Sequence, residues 1–418
     1  MLKKLLTNRA ILVSIILIII CISSNIKIAL ANEEVKIAEN GTTEEVVPDD
    51  GITNEIYQLY DYINGMKLES EIMNELSPKE YVEEYIKNGE GNLSVKKVIN
   101  AIISYLFREV KSVLVLCISI IVIAIICSLI KNLQSAFSSD GISNIAFFAC
   151  YSILIIILSR SFLISINIAV DLINDLSNFM GALLPVLVLL IGSIGGFAQA
   201  ATMDPIIMGA TILIPRIYST VIIPLILVAF VLEFTNNIST EYKINNLCKI
   251  VKQIILWLQG IILTIFIGIL TIRGAATSTI DAVTLKTAKF AIDNFIPLVG
   301  KAFSDAITSV AGYSLLIKNA ISAIGLVIII FMMLFPVIKL VLISFIYKVT
   351  AAVIEPISDK RITSSIAMAG DSLILLMSCL LSITLMFFIL LAIMASAGKF
   401  VIGGWLYGID KRVCNNLS

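Results

Sequence analysis

Four ionisable side chains stand within or at the edge of long apolar runs of this 418-residue chain: Arg160, Arg216, Lys339 and Asp371. A charge in a low-dielectric setting is costly, so residues of this kind mark ion or proton pathways by default. The competing reading is structural, in which a long basic side chain snorkels to the headgroups or pairs with a carboxylate such as Glu233. The scattering of single charges favours that second reading for Arg160 and Lys339, the two set deepest. Another candidate site is conformational rather than ionic. Pro185, Gly192, Gly195, Gly196 and Pro205 interrupt an otherwise apolar stretch, and Pro215 and Pro224 follow. Each proline removes a backbone donor and bends a helix. Broken helices at membrane depth occur where they are buried in protein or line a watery cavity. A gate or pore-lining element is therefore a candidate here, against the alternative that these residues only allow close packing and kinking.

Much other chemistry is absent from the residue types. The chain has no histidine, which removes Ser-His catalysis, the HExxH metalloprotease and histidine-rich metal sites. Gly300-Lys301 lacks the glycine spacing and the following hydroxyl residue of a Walker A loop, so an energy-driven step needs a partner or a gradient. Ala369-Gly370-Asp371 has the glycine-aspartate pair of intramembrane aspartyl proteases, but no second aspartate lies in a matching context. Cys117, Cys127, Cys150 and Cys379 fall inside apolar runs and Cys21 in the leader, the pattern of small packing residues rather than a disulfide framework. No catalytic residue, cofactor or metal ligand is assigned, and the chain is expected not to be an enzyme. Its basic residues are scattered singly, which disfavours nucleic acid as a partner.

The elements that must position these residues follow from composition. Hydrophobic residues make up 58% and charged residues 14% of the chain, where a soluble domain carries roughly 45–50% and about 25%. The apolar residues come in runs long enough to cross a bilayer as helices: Val113 to Ile130, Ile145 to Ile164, Leu183 to Ala201, Ile206 to Leu232, Ile254 to Thr271, Ala323 to Ile346 and Leu373 to Ile393. The predicted fold is an all-α polytopic membrane protein with about seven transmembrane helices.

Residues 1–31 read as a cleavable signal peptide, with Lys3, Lys4 and Arg9, an apolar core, and Ala29-Leu30-Ala31. Residues 32–112 read as an exported segment with amphipathic helices. From Asn32 to Val95 it holds 16 acidic and 4 basic residues, whereas the remainder to Ser418 holds 14 and 22. One helix is expected from Ile52 to Ile63, closed by Asn64-Gly65, and another from Ser77-Pro78, where Ser is the N-cap and Pro the first helical residue. Val95 to Val110 has one apolar face and lysines for the headgroups, an interfacial helix leading into the first span. Membrane helices 1–5 occupy 113–272, an amphipathic interfacial or re-entrant segment 273–319, membrane helices 6–7 residues 320–398, and a tail 399–418. Seven crossings from an exported start put the C-terminus in the cytoplasm, where Lys399, Lys411 and Arg412 suit the positive-inside rule. Lys243, Lys249 and Lys252 would then lie outside, against that rule.

Several stretches carry a resemblance to a known family: Phe179-Met180-Gly181-Ala182-Leu183-Leu184-Pro185-Val186 through Gly195-Gly196, Thr284 to Gly300 continuing to Gly325, Ala352 to Arg361, and Ala369-Gly370-Asp371-Ser372. The chain resembles the stage III sporulation protein AE family of endospore-forming bacteria along nearly its whole length after the leader. The resemblance implies a polytopic protein of the mother-cell membrane around the forespore. It also implies partners: other stage III sporulation membrane proteins, a forespore membrane protein reached through the complex, and a separate cytoplasmic ATPase. The implied assembly is a channel or secretion-like conduit, with its pore within one copy or between several copies as a homo-oligomer. No site residue is carried over from the family. A stand-alone permease for a small solute is the alternative, with the proline-broken helices as its midplane site.

Overall fold

The computed structural model describes residues 50–65, 95–137, 140–238, 244–295 and 300–397. Among them the chain is helical, with described turns at 194–196 and 355–359: α1 (Asp50–Gly65), α2 (Val95–Phe137), α3 (Asp140–Ser193), α4 (Phe197–Met208), α5 (Ile214–Ile217), α6 (Ile223–Ile238), α7 (Asn245–Phe295), α8 (Gly300–Ile354) and α9 (Lys360–Ser396). Short π-helical turns at Gly209–Leu213 and Tyr218–Ile222 join α4, α5 and α6 into one interrupted rod. The all-α class expected from the apolar runs is the observed one, and α1 matches the helix expected to end at Asn64-Gly65. The leader, the helix start at Ser77 and the tail 399–418 lie outside the described residues.

Six helices among the described residues are long and apolar enough to cross a membrane, where the sequence reads about seven runs. The difference lies at one place. The runs expected at 145–164 and from 183 belong to a single 54-residue helix, α3, with Pro185 inside it. Pro185 and Gly181, whose carbonyl its ring denies a partner, are both on the exposed side of α3. At about 1.5 Å per residue α3 is roughly 80 Å long, more than twice the hydrocarbon thickness. The expected interfacial helix at 95–110 is likewise continuous with the first span in α2, and the amphipathic stretch after residue 272 continues α7 without a break to Phe295.

Paired contacts fix the helix directions. α2 runs parallel to α8, since Tyr105 meets Phe335, Glu109 meets Lys339 and Cys117 meets Thr350. α8 and α9 form an antiparallel hairpin, with Ser344 against Gly370 and Lys318 against Ala395. α3 is antiparallel to the rod α4–α6: Ser177 donates to the Thr211 carbonyl, and Phe162 stacks on Phe230 with ring centroids 3.9 Å apart. Alternating directions bring Val95 and Ala397 to the same end of the bundle. Seven crossings, as expected from the sequence, put the two termini on opposite faces; the termini themselves lie outside the described residues, among which six helices are long and apolar enough to cross.

Large apolar side chains are exposed mainly along Leu114 to Leu129, Ile145 to Ile164, Leu247 to Ile272 and Val341 to Val353. In water such a belt would be untenable; it is the surface that acyl chains cover. Inside, α9 is the most enclosed of the six spans. Gly325 lies at the meeting of α3, α8 and α9: a Cβ there would stand 2.8 Å from Leu183 Cδ2 and 3.0 Å from Leu391 Cδ2, so a side chain at this position requires both leucines to shift.

Candidate functional site

One set of polar side chains in this apolar bundle is strung along α9. Asp359 caps its start, its carboxylate accepting from the Arg361 amide at 2.8 Å. Ser365 then meets the Tyr151 hydroxyl at 2.6 Å and accepts from Asn237 Nδ2 at 3.2 Å. Seven residues on, Ser372 donates to Glu233 Oε2 at 3.0 Å. Ser378 donates to Gln259 Oε1 at 3.2 Å, and Ser382 lies 2.7 Å from the Tyr218 hydroxyl. These rungs run from residue 365 to 382, about 26 Å along the helix axis, which approaches the hydrocarbon thickness of roughly 30 Å. They form a hydrogen-bonded seam between α9 and its neighbours α3, the α4–α6 rod and α7.

The charged centre of the seam is Glu233 on α6. It is 4% exposed, and its Oε1 forms an ion pair with Lys252 of α7. Beside it Asp371 Oδ1 pairs with Lys348 Nζ of α8 at 3.0 Å. Gly370 makes this possible: a Cβ there would lie 3.2 Å from the Ser344 carbonyl oxygen and 3.3 Å from Lys348 Cγ. The run Gly370-Asp371-Ser372 thus has three physical tasks in three residues: close approach to α8, an ion pair with α8, and a hydrogen bond to α6. The Glu233 carboxylate is the buried member of these two pairs, and a buried charge of this kind fixes register between helices more than it adds net stability. Lys348 and Asp371 are both partly exposed.

The sequence-predicted residues divide around this centre. Asp371 belongs to it. Lys339 does not; it pairs with Glu109 of α2 at 3.3 Å rather than with Glu233. Arg160 and Arg216 are exposed on α3 and α5, which suits snorkelling. Pro185 and Pro205 are also exposed, while Gly195 and Gly196 are buried and Gly192 is half-buried. These glycines build the turn between α3 and α4. Gly195 has φ 95°, a left-handed backbone that disfavours side chains, and its amide donates to the Gly192 carbonyl at 2.9 Å. The prolines of the rod act locally. Each π-turn contains the residue four before a proline, Thr211 before Pro215 and Thr220 before Pro224; Pro215 cannot donate to the Thr211 carbonyl, and the Ser177 hydroxyl does so instead.

Sequence reading missed Lys252, Lys348, Ser372 and Lys318. The first two left a trace as single charges near the ends of apolar runs, and Ser372 only as the last residue of one of the family stretches. A serine inside a membrane helix signals nothing until its partner is known.

The segment from residue 76 to 398, which holds all six spans, matches the family model described as stage III sporulation protein AE. The chain belongs to the stage III sporulation protein AE family. A relative of that name in Bacillus subtilis (strain 168) is 33% identical over 323 residues, covering 77% of this chain and 81% of the relative. No solved structure matches the chain. Membership makes this a multi-pass sporulation membrane protein. Three of the family stretches have a structural content in this member: 179–196 is the α3 end and its turn, 352–361 the α8–α9 corner, and 369–372 the point where α9 meets Glu233 and Lys348.

Proposed function

We propose that this protein is a non-enzymatic membrane component of a sporulation channel or secretion-like complex that links mother cell and forespore and is needed for forespore development. The observation that supports this reading is the family match, because it runs across every candidate span rather than over an isolated motif. The six spans then serve as a scaffold seated in the mother-cell membrane around the forespore. The partners are the other stage III membrane proteins, a forespore membrane protein across the intermembrane space, and a separate cytoplasmic ATPase that provides the nucleotide chemistry this sequence lacks.

An exported start at Val95 orients the bundle. The end carrying Val95 and Ala397 faces away from the cytoplasm, and the α2–α3, α6–α7 and α8–α9 connections face it. Lys249, Lys252, Lys360 and Arg361 then fall on or near the cytoplasmic side, in line with the positive-inside tendency, although Lys96, Lys97, Arg273 and Lys301 fall towards the other end. The misplacement of Lys249 and Lys252 under seven crossings disappears when α3 is one helix.

Deletion of the gene in its own host tests the function. Vegetative growth stays normal, spore formation fails after engulfment, and the tagged protein co-purifies with other stage III membrane proteins. Normal spores from a clean deletion overturn the reading.

A further inference from the structure

Glu233 lies one turn inside its span, which closes at Asn237. The groups that face it come from the helices packed around α6. α7 supplies Lys252 on Oε1 and, one turn earlier, Cys248. α9 supplies Ser372, 3.0 Å from Oε2, with Asp371 alongside, and α8 holds that aspartate through Lys348 at 3.0 Å. From α3, Phe162 stacks on Phe230, one turn before Glu233 on α6, while Arg160 is turned to the exposed side. The way in from the bundle end is polar. Asn236 bonds Asn245 at 2.6 Å and the Ile244 amide at 2.7 Å, and Asn237 bonds Ser365, which meets Tyr151. Both asparagines are within a turn of Glu233.

We propose that Glu233 is a proton-binding site entered from the α6–α7 end of the bundle, and that loading it frees α7 from α6 and α9. A proton from water at that face joins the carboxylate; Lys252 keeps its own proton. The neutral acid still bonds Ser372, but the ammonium of Lys252 loses its counter-charge, and an unpaired cation in this setting is costly. Lys252 relieves the cost by turning outward, since its side chain is already 24% exposed and α7 is the least covered of the six spans.

The test uses the full chain in phosphatidylethanolamine–phosphatidylglycerol vesicles, with Cys248 as the single thiol and the other cysteines changed to alanine. Infrared difference spectra across pH show a protonated-carboxyl band that titrates in the parent, persists in E109Q and D371N, and is missing from E233Q. Cys248, 6% exposed, reports on α7. N-ethylmaleimide labels it at least about tenfold faster in E233Q than in the parent at the same pH, the factor that roughly 1.4 kcal/mol of local opening free energy gives. The same gain at I255C, wholly buried on α7 and placed in a C248A background, separates opening from the direct action of the Glu233 charge on the Cys248 thiol. A parent without a titrating band, a band that survives in E233Q, or an unchanged labelling rate overturns the proposal. Should E233Q not assemble, K252M keeps the carboxylate and must move the titration to higher pH; a titration that stays put overturns the proposal as well.

Discussion

The Lys318 amine donates to the carbonyl of Ala395 at 2.8 Å, so a wholly buried lysine on α8 closes the last turn of α9, 77 residues further along the chain. It also reaches the Ala397 carbonyl. The last carbonyls of a helix have no partner within it and carry the negative end of its dipole. A buried ammonium is costly alone, but here it meets several partial charges of opposite sign. The two antiparallel helices are thereby fastened at the end where Val95 also lies.

Replacing Lys318 with Met leaves those carbonyls buried and unpaired, at a cost of about 1–3 kcal/mol. The apparent melting temperature of the detergent-solubilised chain is expected to fall accordingly. A K318M chain that melts with the parent would show that the cap contributes nothing.

The turn between α3 and α4 separates a packing role from a gating one. Gly195→Ala forces a side chain into a left-handed backbone and costs about 1 kcal/mol or more. Gly192→Ala meets only Ala200 Cβ, at 3.9 Å, an ordinary contact, and leaves stability unchanged. Thermal unfolding of the two variants, compared with spore yield, decides the matter. A spore defect in G192A at parental stability would restore the glycines as a gate.

Tyr62 of α1 makes docking of that helix sensitive to alkali. Burial, and after it the Asp175 charge, push its phenol above the ordinary 10.0. As pH rises through 10 the released chain loses its proton before the docked one, so the contribution is intact below that pH and declines above it. Cleavage of residues 50–65 by an alkali-stable protease is expected to accelerate above about pH 10. Tyr62→Phe removes the acceleration; if it does not, another group is responsible.

Orientation is readable by labelling in a cysteine-free background. Ser396→Cys is expected to react with an impermeant maleimide from outside, and Asn246→Cys only after permeabilisation. Both residues are exposed and stand at opposite ends of the bundle. Equal access to the two from one side contradicts six alternating crossings.

The helical class and the positions of the apolar runs were legible because a backbone in lipid has to satisfy its own hydrogen bonds, and a run of about 20 apolar residues leaves the helix as its form. The number of crossings was not. Asp171 and Asp175 look like a loop between two spans, yet α3 passes straight through them while α1 packs on that helix. Pro185 looks like a break, yet its ring lies on the exposed face. Hydropathy averages over all faces of a helix, so it cannot tell a polar residue covered by a neighbour from one that ends a span.

Residue types alone therefore determined that this is a helical membrane protein with few charges to place, because solvation free energy follows composition and run length. Which charges meet was decided only by the fold. Glu233 finds Lys252 nearby in the chain but Ser372 from 139 residues away, and Lys339 takes Glu109 from 230 residues away. Contacts of that separation depend on which helix faces pack together, and that is a property of the assembled bundle rather than of any segment.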